Sequence, residues 1–150
     1  MKTFRVACLL GVMAWVAPVS ADDIIWDGGG ADNNWDTAEN WSTDMVPTFF
    51  DSVIFNATSS KDAVITQDQE MFDFTMTAGY TGTLSRTSGN ITIGGAMLVQ
   101  GGTITDMDDL LVEGDVTITA GSVNWADSSD STFNGSFTVQ GGTVSGLAAC

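Results

Sequence analysis

A short phrase, glycine then a hydroxyl residue then an aliphatic one, returns four times in this chain: Gly82-Thr83-Leu84, Gly102-Thr103-Ile104, Gly121-Ser122-Val123 and Gly142-Thr143-Val144. Successive copies start 20, 19 and 21 residues apart. A near-constant period of that size marks a stacked-repeat architecture, because one such unit cannot bury its apolar face alone. The match runs beyond the phrase. Ile91, Ile93, Met97, Val99 and Ile104 align with Leu110, Val112, Val116, Ile118 and Val123, then with Ser131, Phe133, Phe137, Val139 and Val144. Apolar and polar residues alternate within each copy, which is strand periodicity. Glycine interrupts the alternation in two columns, Gly95/Gly114/Gly135 and Gly102/Gly121/Gly142, where the chain must turn.

Each copy therefore predicts two or three short strands joined by tight corners, and stacking unites their apolar columns into one core. The expected fold is an all-β, right-handed parallel β-helix with coils of about 20 residues. Successive coils would sit ~4.8 Å apart, each strand pairing in parallel with its counterparts. The competing fold is an antiparallel β-sandwich, which also has short strands at regular spacing. In-register return of the same residue types favours the solenoid.

Upstream, Val53-Ile54-Phe55, Ala63-Val64-Ile65-Thr66 and Phe72-Asp73-Phe74-Thr75-Met76 read as earlier, imperfect coils of the same solenoid. Residues 22–48, rich in Trp, Asn, Asp and Gly, read as an N-terminal cap, since terminal repeats must shield the open end of a core. The solenoid is assigned to residues 49–150, about five coils. It is expected to be incomplete at its C-terminal end, continuing in a longer protein or docking on a partner, because an uncovered strand edge invites association.

Residues 1–21 have the layout of a secretory signal peptide. Lys2 and Arg5 precede the apolar run Val6 to Val16, Pro18 ends it, and Val19-Ser20-Ala21 places small residues for cleavage after Ala21. The run is shorter than the ~20 residues a membrane span requires, so the mature chain is expected to be secreted or cell-surface and not membrane-spanning. It then retains two cations, Lys61 and Arg86, against 19 acidic residues, a formal charge of −17. That balance argues against nucleic acid, whose phosphates need a cationic footprint. The chain has no histidine, and Cys150 is the only thiol after the signal. An internal disulfide framework and a Cys/His zinc site are both excluded.

The segment before the repeats carries a second pattern: Trp26-Asp27-Gly28, Trp35, Glu39-Asn40-Trp41, Pro47 and Asp51-Ser52-Val53-Ile54-Phe55. Together with the Thr/Gly-rich coils, it resembles the start of large bacterial secreted β-solenoid surface proteins of the autotransporter-passenger kind. The resemblance implies an extracellular or cell-surface location and a structural or adhesive role, with an extracellular glycan or surface component as partner.

Three sets of residues suggest chemistry. Trp26, Trp35 and Trp41 are candidates for stacking on sugar rings, as in a carbohydrate-binding module; the plainer role is to plug the first coil with large rings. Trp125 falls between copies and reads as a partly exposed packing residue. Asp106, Asp108 and Asp109 on one connection, with Asp127 and Asp130 on the next, are candidates for bridging by calcium, a hard cation that takes several oxygens. Hydrated surface acids are the plainer reading, as neither EF-hand nor β-roll spacing is present. Asp27, Asp32 and Asp36, beside Asn33 and Asn34, form a second cation candidate of the same kind.

The enzyme alternative is a β-helix polysaccharide lyase or hydrolase, which would need converging carboxylates. Asp108 and Asp109 are adjacent, and in a strand they would face opposite sides. A non-catalytic module is therefore expected. A minor alternative is ice binding, from the ladder Thr83, Thr103, Ser122 and Thr143 with Thr105, Asn124 and Ser145 beside it.

Overall fold

The computed structural model describes residues 22–125 and 130–146. Residues 1–21, with the layout expected of a signal peptide, and Asp127 and Cys150 lie outside the described residues. Among the described residues the chain winds through fifteen short strands: β1 (Asp23–Ile25), β2 (Ser52–Phe55), β3 (Ala63–Ile65), β4 (Gln69–Met71), β5 (Phe74–Met76), β6 (Thr83–Arg86), β7 (Ile91–Ile93), β8 (Met97–Val99), β9 (Thr103–Thr105), β10 (Leu110–Val112), β11 (Val116–Ile118), β12 (Ser122–Asn124), β13 (Thr132–Phe133), β14 (Phe137–Val139) and β15 (Thr143–Ser145). They form three sheets, in the orders β1-β2-β5-β8-β11-β14, β15-β12-β9-β6-β3 and β13-β10-β7-β4. Every strand-to-strand pairing is parallel. This is a parallel β-solenoid of about four turns, fewer than the five expected, with coils of about 21 residues, and the antiparallel sandwich does not occur.

The registers place the predicted columns over one another. Met97, Val116 and Phe137 are direct partners, as are Val99, Ile118 and Val139, and Ile104, Val123 and Val144. Inward residues from the three sheets fill one continuous core, and burying each large aliphatic side chain contributes about 1.5–3 kcal/mol. Phe55 is fully buried at the lower end, and the uppermost strands are more open, with Val139 47% exposed.

The cap segment 22–48 pairs with the coils: its β1 is the first rung of the six-stranded sheet, and Asn34 bridges Val64 in parallel. One expectation needs correction: the strand-like stretch 72–76 does not begin at Phe72. Phe72 is an exposed corner residue between β4 and β5. Its place in that part of the coil is taken by β4, where Gln69 and Met71 point inward.

The glycine columns have a steric cause. A Cβ on Gly114 would lie 2.5 Å from the carbonyl oxygen of Gly95, and one on Gly121 2.5 Å from that of Gly101. Gly121 also has φ +86°, a left-handed conformation that side chains disfavour.

Candidate functional site

Trp26, Trp35 and Trp41 converge beneath the first complete coil, at 0%, 1% and 0% exposure. Trp41 stands edge-on to both neighbours, with ring centroids 5.0 Å from Trp26 and 4.6 Å from Trp35, and all three surround Phe55. The Trp41 indole N–H donates to the Trp35 carbonyl at 2.7 Å, and that of Trp26 to the Lys61 carbonyl at 3.0 Å. Stacking on a sugar requires an open ring face, and none of the three presents one. The expectation of a sugar-stacking surface on these residues is therefore corrected to a plug of the core. Trp125 is likewise no surface residue: it is fully buried, edge-on to Phe133 and Phe137.

The acids of the cap do not gather round a shared cation. Asp27 accepts from the Gly29 N–H at 3.0 Å, and Asp36 from the Gln69 side-chain amide at 2.9 Å. Asp32 accepts from the Thr37 hydroxyl at 2.7 Å and the Asn34 N–H at 3.0 Å. Those bonds, Thr37's foremost, hold its carboxyl below the usual carboxylate range. The positive charge here is the chain's own. The Lys61 ammonium donates to the carbonyls of Gly28 and Gly30, at 3.1 and 2.6 Å, and to Asn40 Oδ1 at 2.9 Å. Asn40 is fully buried, and its amide donates onward to the carbonyls of Asp32 and Asn34. Lys61 thus ties two segments of the cap, at Gly28–Gly30 and at Asn40, to the loop before β3.

Arg86 does the same for the first acidic connection. It occupies the register position above Ile65, and its side chain is only 8% exposed. Its guanidinium meets the carboxylate of Asp108, that of Asp109 at 3.2 Å, the Asp106 carbonyl at 3.2 Å and the Gly89 carbonyl. The hydrogen bond from Arg86 is the foremost reason that the Asp108 carboxyl is held low. Asp106 and Asp109 adopt left-handed backbone conformations, φ +59° and +54°, which fold the connection back over Arg86 and bury Met107. Asp108 and Asp109 consequently converge on one partner instead of facing opposite sides, because they sit in a corner before β10 and not in a strand. Asp109 and Asp130 line one shallow depression together with Asn90, Thr92 and Leu111. Among the described residues, no group of three or more Cys, His, Asp or Glu side chains is placed to hold a metal ion.

The outer hydroxyl ladder forms as expected, with Thr83, Thr103, Ser122 and Thr143 in direct register. Beside it run Ser85 with Thr105, and Asn124 with Ser145, whose hydroxyl donates to Asn124 Oδ1 at 3.3 Å. The sequence reading missed the roles of Lys61 and Arg86. The available signal was their scarcity: in so acidic a chain, a lone cation near a run of carbonyls and carboxylates is drawn into them.

Fold and sites together define a parallel β-solenoid with a tryptophan-plugged lower end and internally engaged cations. No protein-family model, curated protein or solved structure matches the chain. No helix among the described residues is long and apolar enough to cross a membrane.

Proposed function

We propose that the mature chain is an extracellular structural or adhesive module of the bacterial secreted surface-protein kind, presenting a regular, negatively charged solenoid surface without catalysis. One observation supports the reading: both cations of the mature chain are engaged by its own carbonyls and carboxylates, which leaves the surface to the remaining acids and to the stacked hydroxyl ladder. Such a surface suits solubility and long-range recognition outside the cell. The engagement of Asp108 and Asp109 by Arg86 supports a structural task for these acids and gives no help to a polysaccharide-degrading mechanism.

Expression of the whole chain in a bacterial host, with N-terminal sequencing of the exported product and protease accessibility on intact cells, tests the reading. The expected product begins at Asp22 and is accessible outside the cytoplasm. Cytoplasmic retention of the uncleaved chain overturns it, and release of reducing or unsaturated sugars from acidic polysaccharides replaces it with the enzyme reading.

The in-register ladder favours ice binding as a second reading, because evenly spaced hydroxyls can order water. An ice-recrystallisation assay on the wild type beside Thr103→Lys and Thr143→Lys decides it; behaviour identical to buffer ends it.

A further inference from the structure

The corner between the third sheet and the first carries an exposed aromatic ledge. Phe49, Phe50 and Phe72 are 40%, 56% and 43% exposed. The first two sit on a closed turn. The Thr48 N–H and hydroxyl both donate to Asp51 Oδ2, at 2.8 and 2.7 Å, and the Asp51 N–H returns to the Thr48 carbonyl at 3.0 Å. Their rings meet edge to face, 5.7 Å apart. The Phe72 N–H donates to the Asp51 carbonyl at 2.9 Å, which sets Phe72 beside this turn in the next coil. One coil further on the corner is Gly94-Gly95-Ala96. A Cβ on Gly94 would lie 3.0 Å from two carbons of the Phe49 ring, and Gly95 and then Gly114 follow in the adjoining column. Rings held by a fixed turn thus border a strip of small residues, and a ledge of this kind loses little conformational freedom when a partner lies on it.

The surrounding charge selects the partner. Asp51, Asp73, Glu113 and Asp115 occupy this corner or the positions next to it, while Lys61 and Arg86 are engaged elsewhere. A second copy, equally acidic, would bring like charges together around the rings. Lysine and arginine satisfy both halves of the surface. Their aliphatic stems cover apolar rings, and their cations are attracted to ring faces and to carboxylates. We infer that the Phe49–Phe50–Phe72 corner is a docking ledge for a Lys/Arg-rich polypeptide segment. The inference deepens the adhesive reading by naming the chemistry of the contact, and it rests on that reading for its setting outside the cell.

A titration of the purified chain with a fluorescent Arg/Gly octapeptide at 150 mM salt tests it, with a Gln/Gly octapeptide as the neutral probe. The expected result is binding of the Arg/Gly peptide alone. It weakens at least fivefold in Phe50→Ser and further in Phe50→Ser/Phe72→Ser, with melting unchanged, and is retained in Phe50→Trp. Phe50→Ser alone decides the matter if the double variant fails to fold. Equal binding by wild type and Phe50→Ser overturns the inference in favour of diffuse charge attraction. So does absence of binding, preference for the neutral peptide, or self-association of the wild type that Phe50→Ser abolishes. Each of these outcomes leaves the export and accessibility experiment untouched, so the two readings fail separately.

Discussion

Ile118 stands between Val99 and Val139 in the shaft of the solenoid and is fully buried. Ile118→Asp places an unpaired carboxylate there, and breaking the column in this way costs several kcal/mol, about 3–5. The expected outcome is loss of the cooperative thermal transition; an unchanged melting curve would contradict the inward assignment of this column. At the plugged end, two tryptophans of similar burial differ in bonding. Trp41 donates its indole N–H at 2.7 Å, whereas that of Trp35 has no acceptor among the described residues. Replacing Trp41 by Phe orphans the Trp35 carbonyl as well as opening a gap, while Trp35→Phe removes a donor that was already unsatisfied. Trp41→Phe is therefore expected to be the more destabilising of the two by about 1 kcal/mol in urea unfolding. The reverse order would mean that ring volume alone governs the plug.

At the scale of the coil, the glycine seams set how closely one turn approaches the next. Gly121→Ala meets both a left-handed backbone and the Gly101 carbonyl, and is expected to lower the urea midpoint by the equivalent of about 1–3 kcal/mol. A neutral result would show that the corner can open without loss of pairing. These seams were legible in the sequence because sterics leaves one residue type for such a place. The strands from Phe74 onward were equally legible, since their inward residues are nearly all apolar. β4 was hidden because its Gln-Glu-Met puts an amide at a core position, where Gln69 is 5% exposed and bonds to Asp36. β1 was hidden because Asp23-Ile24-Ile25 is too short to show a period, and only pairing with β2 reveals it as a rung. The tryptophans announced a site of some kind, but composition alone does not distinguish rings that plug a core from rings that face a ligand.

For the molecule as a whole, the formal charge of −15 implies self-repulsion that added salt relieves. Melting temperature is expected to rise with sodium chloride, and to rise equally with calcium at matched ionic strength; an excess effect of calcium would revive a bridged site involving Asp106, Asp108, Asp109, Asp127 and Asp130. The acid limb has a defined sign. Asp32 and Asp108 titrate below their ordinary value of 3.8 in the folded chain, so their stabilisation is complete above that value and is lost as pH falls through the folded one. Stability should drop below about pH 4, and Asp108→Asn should flatten that limb. The alkaline limb runs the other way. Burial pushes the Tyr80 phenol, which donates to the Lys61 carbonyl at 2.7 Å, well above its ordinary 10.0. Stability is then expected to fall as pH rises beyond 10.0, and to fall less in Tyr80→Phe. Lys61 adds a consequence of another kind. A cation covalently tethered to the backbone cannot be stripped by chelators or diluted away, so the contacts that Lys61 makes at the lower end of the solenoid persist whatever ions the medium holds.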